Sequence, residues 1–517
     1  MGSQKQPNII LIMADQMAAA PLPVYGGKIV LAPNLDAMAS QGVVFEQAYC
    51  NSPICSPSRN SMLSGRLPTR ISAYDNAAEF AASTPTLAHY LCQAGYRTIL
   101  AGKMHFIGPD QLHGYEERLV TDIYPADFAW TPNWQAGPSD RPSGINMRNV
   151  TQAGQCVRSL QLDYDDEVAY FAQQKLYDLA RTPQDQPFFM TVSFSHPHPP
   201  FTINAEYWDR YCHEEIDMPS VPAIPPEQRD ALSQWLLVSH TADTTNITEA
   251  HVRNARHAYY GMISYIDDQL GRLMHTLRQC GLDEDTVVVF TSDHGEMLGE
   301  RGMWYKQNFF EPSVRIPLIV HGAEKWGVSG KRRIKDPVSL LDLLPTLLDF
   351  SGHEPEYVDP IDGRSLLPVL NGQASTMETR PIISEYTDMG VIAPARMLRQ
   401  DDFKLIYTHG YPLQLYHLQE DPDELRNLAQ ETRYQPDVDR LLSSLMEDWD
   451  PDALHKDILA SQKRRLFLKD VAAQSGRFPD WSFRAVRDDT SRYVRSSGAA
   501  GAKAKARFPH IGADSNT

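Results

Sequence analysis

Two short apolar runs, residues 9–13 (IILIM) and 287–290 (VVVF), constrain the fold of this chain more than any other feature. Each is continuous rather than alternating, too short for a buried helix, and followed within a few residues by an aspartate, Asp15 or Asp293. Such runs are the pattern of strands buried on both faces, as in a parallel sheet. Between them lie helical periods. Residues 252–280 place Tyr259, Met262, Ile263, Ile266, Leu270, Leu273 and Leu277 on one face, and Gly281 stops the helix. Residues 84–94 predict a second helix with Pro85 in its first turn, and residues 97–100 a strand that ends near Lys103. Helices alternating with buried strands predict an α/β fold with a large, mostly parallel sheet, whose ligands lie beyond the carboxyl ends of the strands. Asp15 and Asp293 both occupy such ends.

The chain has 517 residues, enough for a large core. Residues 371–379 read as a polar linker, after which short strand-like pieces (403–407 and 413–416) predict a smaller second domain. The expected division is a catalytic domain over 1–375, a C-terminal subdomain over 376–450 and a tail over 451–517. The tail ends in a stretch containing SSGAAGAKAKARF, which cannot build a core of its own and is expected to pack on the body or on a second subunit.

A formal net charge of -17 argues against nucleic acid as a partner, so an anionic substrate must be met by local positive charge. No apolar run approaches the roughly 18 residues needed to span a bilayer, and the opening MGSQKQ shows no export signal, so a cytoplasmic protein without membrane contact is expected. Six cysteines without a CxxC pair are expected to be mostly reduced core residues.

Cys55 is the exception. The segment CSPSRNSMLSGR reads as a helix start, which puts Cys55 where backbone N–H groups attract an anion and Arg59 on the same helix face. On the residues alone, a plain capped helix explains it equally well. The segment resembles the sulfatase signature, whose first residue is oxidised to formylglycine. PNIILIMADQ, AGYRTILAGKMH, HPHPPF, TSDHGEMLGE and LYHLQEDPDELRNLA are similar to further pieces of that family, in the same order. The chain is thereby identified as a member of the formylglycine-dependent sulfatases of the alkaline phosphatase superfamily. It is most similar to choline sulfatases, through YDNAAEF, GPDQLHGYEERLVTDIYPADFAWTP and SRYVR, and next to phosphonate monoester hydrolases.

The resemblance implies an alkaline-phosphatase-like α/β domain and a smaller domain with an antiparallel sheet. It also implies one divalent cation, Ca2+ ahead of Mg2+ or Mn2+, held by Asp15, Asp293, His294 and the modified Cys55. In the implied mechanism the aldehyde hydrates, one of its hydroxyls attacks sulfur and Asp293 takes the proton. Arg59, Lys103 and Lys306 neutralise the oxyanion, and His198 with Lys306 supplies the proton to the leaving alcohol. His105 then deprotonates the second hydroxyl and sulfate departs. Gln16 and Asn76 are implied oxyanion donors, and Trp130 is an implied aromatic against a choline headgroup. Of His196 and His198, the one followed by Pro-Pro is preferred. Two positions depart from the choline sulfatase pattern: Pro199 stands where those enzymes have Asp, and Ile145 where they show His.

The implied substrate is a small sulfate ester, choline-O-sulfate or another alkyl or aryl sulfate. A phosphonate monoester or phosphodiester on the same frame is the alternative, and a silent binding protein or a phosphatase with an unmodified Cys55 is a third reading. The implied partners are a formylglycine-generating maturation enzyme and further copies of the chain, as a homodimer or homotetramer.

Overall fold

A computed structural model describes residues 6–181, 186–328, 330–353 and 356–476. In chain order the strands of its first half are β1 (Asn8–Ala14), β2 (Val43–Tyr49), β3 (Arg97–Gly102), β4 (Glu117–Arg118), β5 (Gly154–Cys156), β6 (Phe188–Phe194) and β7 (Thr202–Asn204). The second half adds β8 (Thr286–Ser292), β9 (Arg315–His321), β10 (Arg332–Ile334), β11 (Val338–Ser339), β12 (Ile382–Tyr386), β13 (Ala395–Gln400), β14 (Phe403–Thr408) and β15 (Gln414–His417).

Nine of these form one sheet in the order β10-β2-β9-β8-β1-β6-β3-β4, with β11 beside β2. Only β9 runs against its neighbours. The two apolar runs lie side by side at the centre, with Ile9 opposite Val287 and Ile12 opposite Phe290. Successive β1 residues alternate between two apolar clusters: Ile9, Leu11 and Met13 face one, Ile10, Ile12 and Ala14 the other. This is why the run shows no polar alternation: helices cover both faces. The long helix Glu249–Gln279 covers one of them, and Gly281 adopts the left-handed φ of 64° just past its end. On the opposite face the apolar cluster continues into the antiparallel sheet β12-β13-β14-β15.

Strands β8, β1, β6 and β3 are consecutive neighbours and parallel. Their carboxyl ends therefore stand in a row at strand spacing, roughly 4.8 Å apart. Asp293, Asp15, the His196–His198 loop and Lys103 follow those four ends. The helix Cys55–Ser64 starts six residues beyond β2, which runs in the same direction, and so joins them at the same edge.

Two local expectations are revised. Thr86 caps the helix Leu87–Gln93 by accepting from the His89 amide, so Pro85 lies before the cap rather than in the first turn. All six cysteines are free, but only Cys50, Cys55 and Cys280 are buried, and Cys212 is exposed. The tail opens with a helix, Pro451–Ser475, started by Asp450, which accepts from the Asp452 and Ala453 amides. Residues 477–517, with SRYVR and SSGAAGAKAKARF, lie outside the described residues. Among the described residues no helix is long and apolar enough to cross a membrane.

Candidate active site

At this edge one ligand atom each from Asp15, Cys55, Asp293 and His294 lies within 4.8 Å of the other three, and all four residues are buried. The Cys55 Sγ is 3.2 Å from His294 Nε2 and 3.8 Å from Asp15 Oδ1. His294 Nδ1 lies 3.1 Å from the Gly295 carbonyl, a contact that puts the proton on Nδ1 and leaves the Nε2 lone pair facing the cluster. Burial holds this imidazole neutral, its pKa lowered to about 3.

The two carboxylates differ. Burial would raise both, but Arg59, with help from His294 and Lys103, keeps Asp293 ionised and far below the usual carboxylate range. Asp15 is pushed up by burial and by Asp293, against Lys103 and Arg59. Two buried carboxylates, a neutral imidazole and a short side chain converging on one point fit a hard or borderline divalent cation, whose charge would relieve that repulsion.

Three cationic side chains ring the cluster, all buried. Arg59 donates from Nε to Asp293 Oδ2 at 2.8 Å and from Nη1 to the Lys103 carbonyl and Ser193 Oγ at 2.6 and 2.8 Å. Its Nη2, 3.7 Å from Asp15 Oδ2, has no hydrogen-bond partner. Lys103 Nζ contacts Asp15; burial lowers its pKa, but Asp15 and Cys55 raise it further, so the ammonium is retained. Lys306 Nζ donates to Gln16 Oε1, and Gln16 Nε2 donates to Glu296. Gln16, His105, Tyr305 and Gln307 all have positive φ, at 65°, 57°, 69° and 79°. Left-handed backbone at four non-glycine residues beside Asp15, Lys103 and Lys306 is the kind of strain found at functional sites.

An aromatic wall borders the cations. The Lys103 Nζ sits 4.1 Å from the centre of the Tyr124 ring. Tyr124 also lies 5.2 Å from Trp130, 5.4 Å from His105 and 5.5 Å from His198, and Trp130 meets His105 edge-on at 5.6 Å. Both ring nitrogens of His105 are buried without a partner, and burial together with Lys103 lowers its pKa to about 3. His198 Nδ1 is 3.0 Å from the Tyr124 hydroxyl and 2.7 Å from the Pro199 carbonyl; burial, Lys306 and Lys103 hold it neutral. His196 faces elsewhere, with Nδ1 2.6 Å from Asp165 and its ring against Tyr265.

A family model described as Sulfatase matches residues 7–353. The chain belongs to the sulfatase family. It is a sulfuric ester hydrolase, and further models described as N-sulphoglucosamine sulphohydrolase, C-terminal, and Choline sulfatase enzyme C terminal match residues 299–450 and 456–508. This sulfatase is 42% identical to a choline-sulfatase of Rhizobium meliloti (strain 1021) over 95% of its own length and 96% of the relative's. It is 28% identical to an arylsulfatase of Clostridium perfringens (strain 13 / Type A), covering 86% and 94% of the two chains. The phosphonate monoester hydrolase of Agrobacterium radiobacter superposes with a TM-score of 0.69 at 25% identity, over 86% of this chain and 96% of that one. The expected alkaline-phosphatase and sulfatase architecture is thus present.

Within this sulfatase the residues singled out from sequence converge at one sheet edge, with two qualifications. The Gln16 amide is engaged by Glu296 and Lys306. Asn76 turns its Oδ1 to the Ser56 amide at 2.9 Å, so that oxygen serves the helix. Tyr124 and Asp122, which accepts from the Met104 and His105 amides, were not singled out. Tyr124 is one tyrosine among 23, and nothing local distinguishes it.

Proposed function

We propose that this sulfatase hydrolyses choline-O-sulfate through a formylglycine made from Cys55, with one divalent cation, Ca2+ ahead of Mg2+ or Mn2+, held by Asp15, Asp293, His294 and the modified side chain. The observation that carries the reading is the convergence of those four ligand positions inside a ring of Arg59, Lys103 and Lys306. An unmodified thiol suits the chemistry poorly: burial and Asp15 push Cys55 up to about 11, so little thiolate forms at neutral pH. When bound, the cation neutralises the carboxylates and acidifies the attacking hydroxyl at position 55.

The remaining work falls to side chains. Asp293, kept ionised by Arg59, accepts the proton of the attacking hydroxyl. The unpartnered Nη2 of Arg59 and the Lys103 and Lys306 ammonium groups stabilise negative charge on the transferring sulfuryl group. Burial depresses His198 most and the Lys306 and Lys103 cations add to it; an anionic sulfate beside those lysines offsets their part and so favours His198, with Lys306, as the proton source for the leaving alcohol. His105, with both ring nitrogens free, takes the proton of the second hydroxyl so that sulfate is expelled. Gln16 orients Lys306. Trp130 and Tyr124 offer aromatic surface to a quaternary ammonium. The similarity to a choline-sulfatase over nearly the whole chain supports that leaving group.

The test is kcat/KM of formylglycine-containing enzyme on choline-O-sulfate, a nitrophenyl sulfate and a phosphonate monoester. Choline-O-sulfate is expected to dominate. Preference for the aryl sulfate would remove the choline assignment, and preference for the phosphonate would replace the reaction with the alternative. We further propose a homodimer or homotetramer matured by a formylglycine-generating enzyme and residing in the cytoplasm, with residues 1–375 as catalytic domain, 376–450 as subdomain and 451–517 as an oligomer contact. Sedimentation of the full chain as a monomer would overturn the assembly.

A further inference from the structure

We infer that Arg465, on the C-terminal helix, is a positioning residue for the nucleophile: by gripping Asp75 it sets the turn that caps the helix carrying Cys55. The inference rests on the reading of Cys55 as the precursor of the nucleophile. The helix Cys55–Ser64 begins after Ile54, which has no side chain able to cap it. One of its unpaired first-turn amides, Ser56 N–H, is instead taken by Asn76 Oδ1 at 2.9 Å, so a residue from a different segment fixes where the helix starts. Asn76 is in turn held by its neighbours. Its own amide donates to Asp388 Oδ2 at 3.0 Å, and Asp75 accepts a bidentate pair from Arg465, Nη1 to Oδ1 and Nη2 to Oδ2, both at 2.6 Å.

Arg465 is 5% exposed and Asp75 fully buried. Asp388 and Asp75 are close enough to repel one another, and Arg465 is the cation that acts against this. A purely structural contact here would be served as well by apolar side chains, since replacing a buried ion pair with packed hydrophobics is often neutral or stabilising. The helix itself makes the contrast. Its inward stripe is apolar at Leu454 and Ile458, then polar at Gln462 and Arg465. That stripe meets the aromatic side of the site: Gln462 Oε1 accepts from the Trp134 amide at 3.1 Å, Arg465 Nη1 donates to Thr131 Oγ1 at 3.4 Å, and Lys469 Nζ donates to the Ala129 carbonyl at 3.0 Å. Arg465 is therefore the point at which the cap of the Cys55 helix and the Phe128–Trp130 turn are registered against each other. Because the hydrogen bonds of Arg465 beyond its own helix go to Asp75 and Thr131 and those of the neighbouring Asn76 to the Cys55 helix, Arg465 acts through Asp75 and Asn76 and not on substrate.

The experiment compares full-length wild type, Arg465→Ala and Arg465→Lys on a nitrophenyl sulfate, with aldehyde content at position 55 and Tm measured on each preparation, with and without millimolar guanidinium. A displacement of the nucleophile by a fraction of an ångström to 1 Å lowers turnover on the order of 10²-fold, and that loss is expected in kcat per aldehyde for Arg465→Ala, with KM changed far less. Guanidinium should restore part of it, and Arg465→Lys, which keeps the charge but loses the fork, should fall between. An unchanged kcat per aldehyde in Arg465→Ala would overturn the inference, as would a loss that follows Tm and is untouched by guanidinium. If the alanine variant does not fold, Arg465→Lys decides: reduced kcat at wild-type Tm supports the role, wild-type kcat refutes it. A wild-type enzyme that turns over with an intact thiol at position 55 would instead refute the reading of Cys55 and the inference with it.

Discussion

Replacing Trp130 with alanine separates a choline pocket from an ordinary aromatic core contact. The ring is half-buried, edge-on to His105 at 5.6 Å and 5.2 Å from Tyr124. Its removal has two consequences of different kind. The aromatic contacts to His105 and Tyr124, worth about 0.5–1.5 kcal/mol per pair, are lost whatever the substrate, and slacken a proposed catalytic base. A cation–π contact worth about 1–2 kcal/mol is lost only for a substrate with a quaternary ammonium, which is about 5- to 30-fold in binding. The comparison is therefore choline-O-sulfate against its uncharged isostere, 3,3-dimethylbutyl sulfate, on wild type and Trp130→Ala. The shared loss cancels in the ratio of kcat/KM values, and the cation-specific part remains as a 5- to 30-fold change, carried mainly by KM. An unchanged ratio would refute the pocket, however large the loss on each substrate.

Other perturbations have equally definite outcomes. Cys55→Ala should abolish turnover while leaving Tm near wild type, because the small buried side chain is replaced by a smaller one; substantial residual activity would dismiss the nucleophile. Chelation should remove activity and lower Tm, since Asp15 and Asp293 are then left facing each other, and re-addition of Ca2+, Mg2+ or Mn2+ should restore both; a chelator-insensitive rate would exclude the cation site. Asp122 is buried, a change that would raise its pKa, but Arg118 and His105 hold it down to about 2 from 3.8. A carboxylate depressed in the folded state contributes stability that is present above its unfolded pKa and lost as pH falls through the folded one. Asp122→Asn should thus flatten acid unfolding between about pH 4 and about pH 2, and an unaltered acid limb would show that Asp122 contributes nothing there.

Much of the candidate site could be read in one dimension because Asp15, Lys103, Asp293 and His294 each follow the end of a strand. The runs around Ile9 and Val287 are recognisable since both faces of a central parallel strand are apolar, and the aspartates that follow them mark where the sheet stops. Arg59 was legible as the helical neighbour of Cys55. The His196–His198 ambiguity was not resolvable in sequence: both sit in one Pro-rich loop, and only the fold turns the first to Asp165 and the second to Tyr124. Tyr124, Asp122 and Arg465 left no local mark, because their significance lies in partners that other segments bring. Arg465 and Asp75 stand 390 residues apart.

Local periodicity and motifs written in consecutive residues are enough to fix the strands around Ile9, Arg97 and Val287, the helix behind Cys55 and the family. The tertiary structure alone decided how those motifs meet. The order β8-β1-β6-β3 sets Asp293, Asp15, the histidine loop and Lys103 side by side, and burial in that shared edge sets their charges: Asp293 ionised against Arg59, His294 and His105 neutral. Charge state in a buried cluster is a property of its neighbours and of the missing water, and neither exists until the chain has folded.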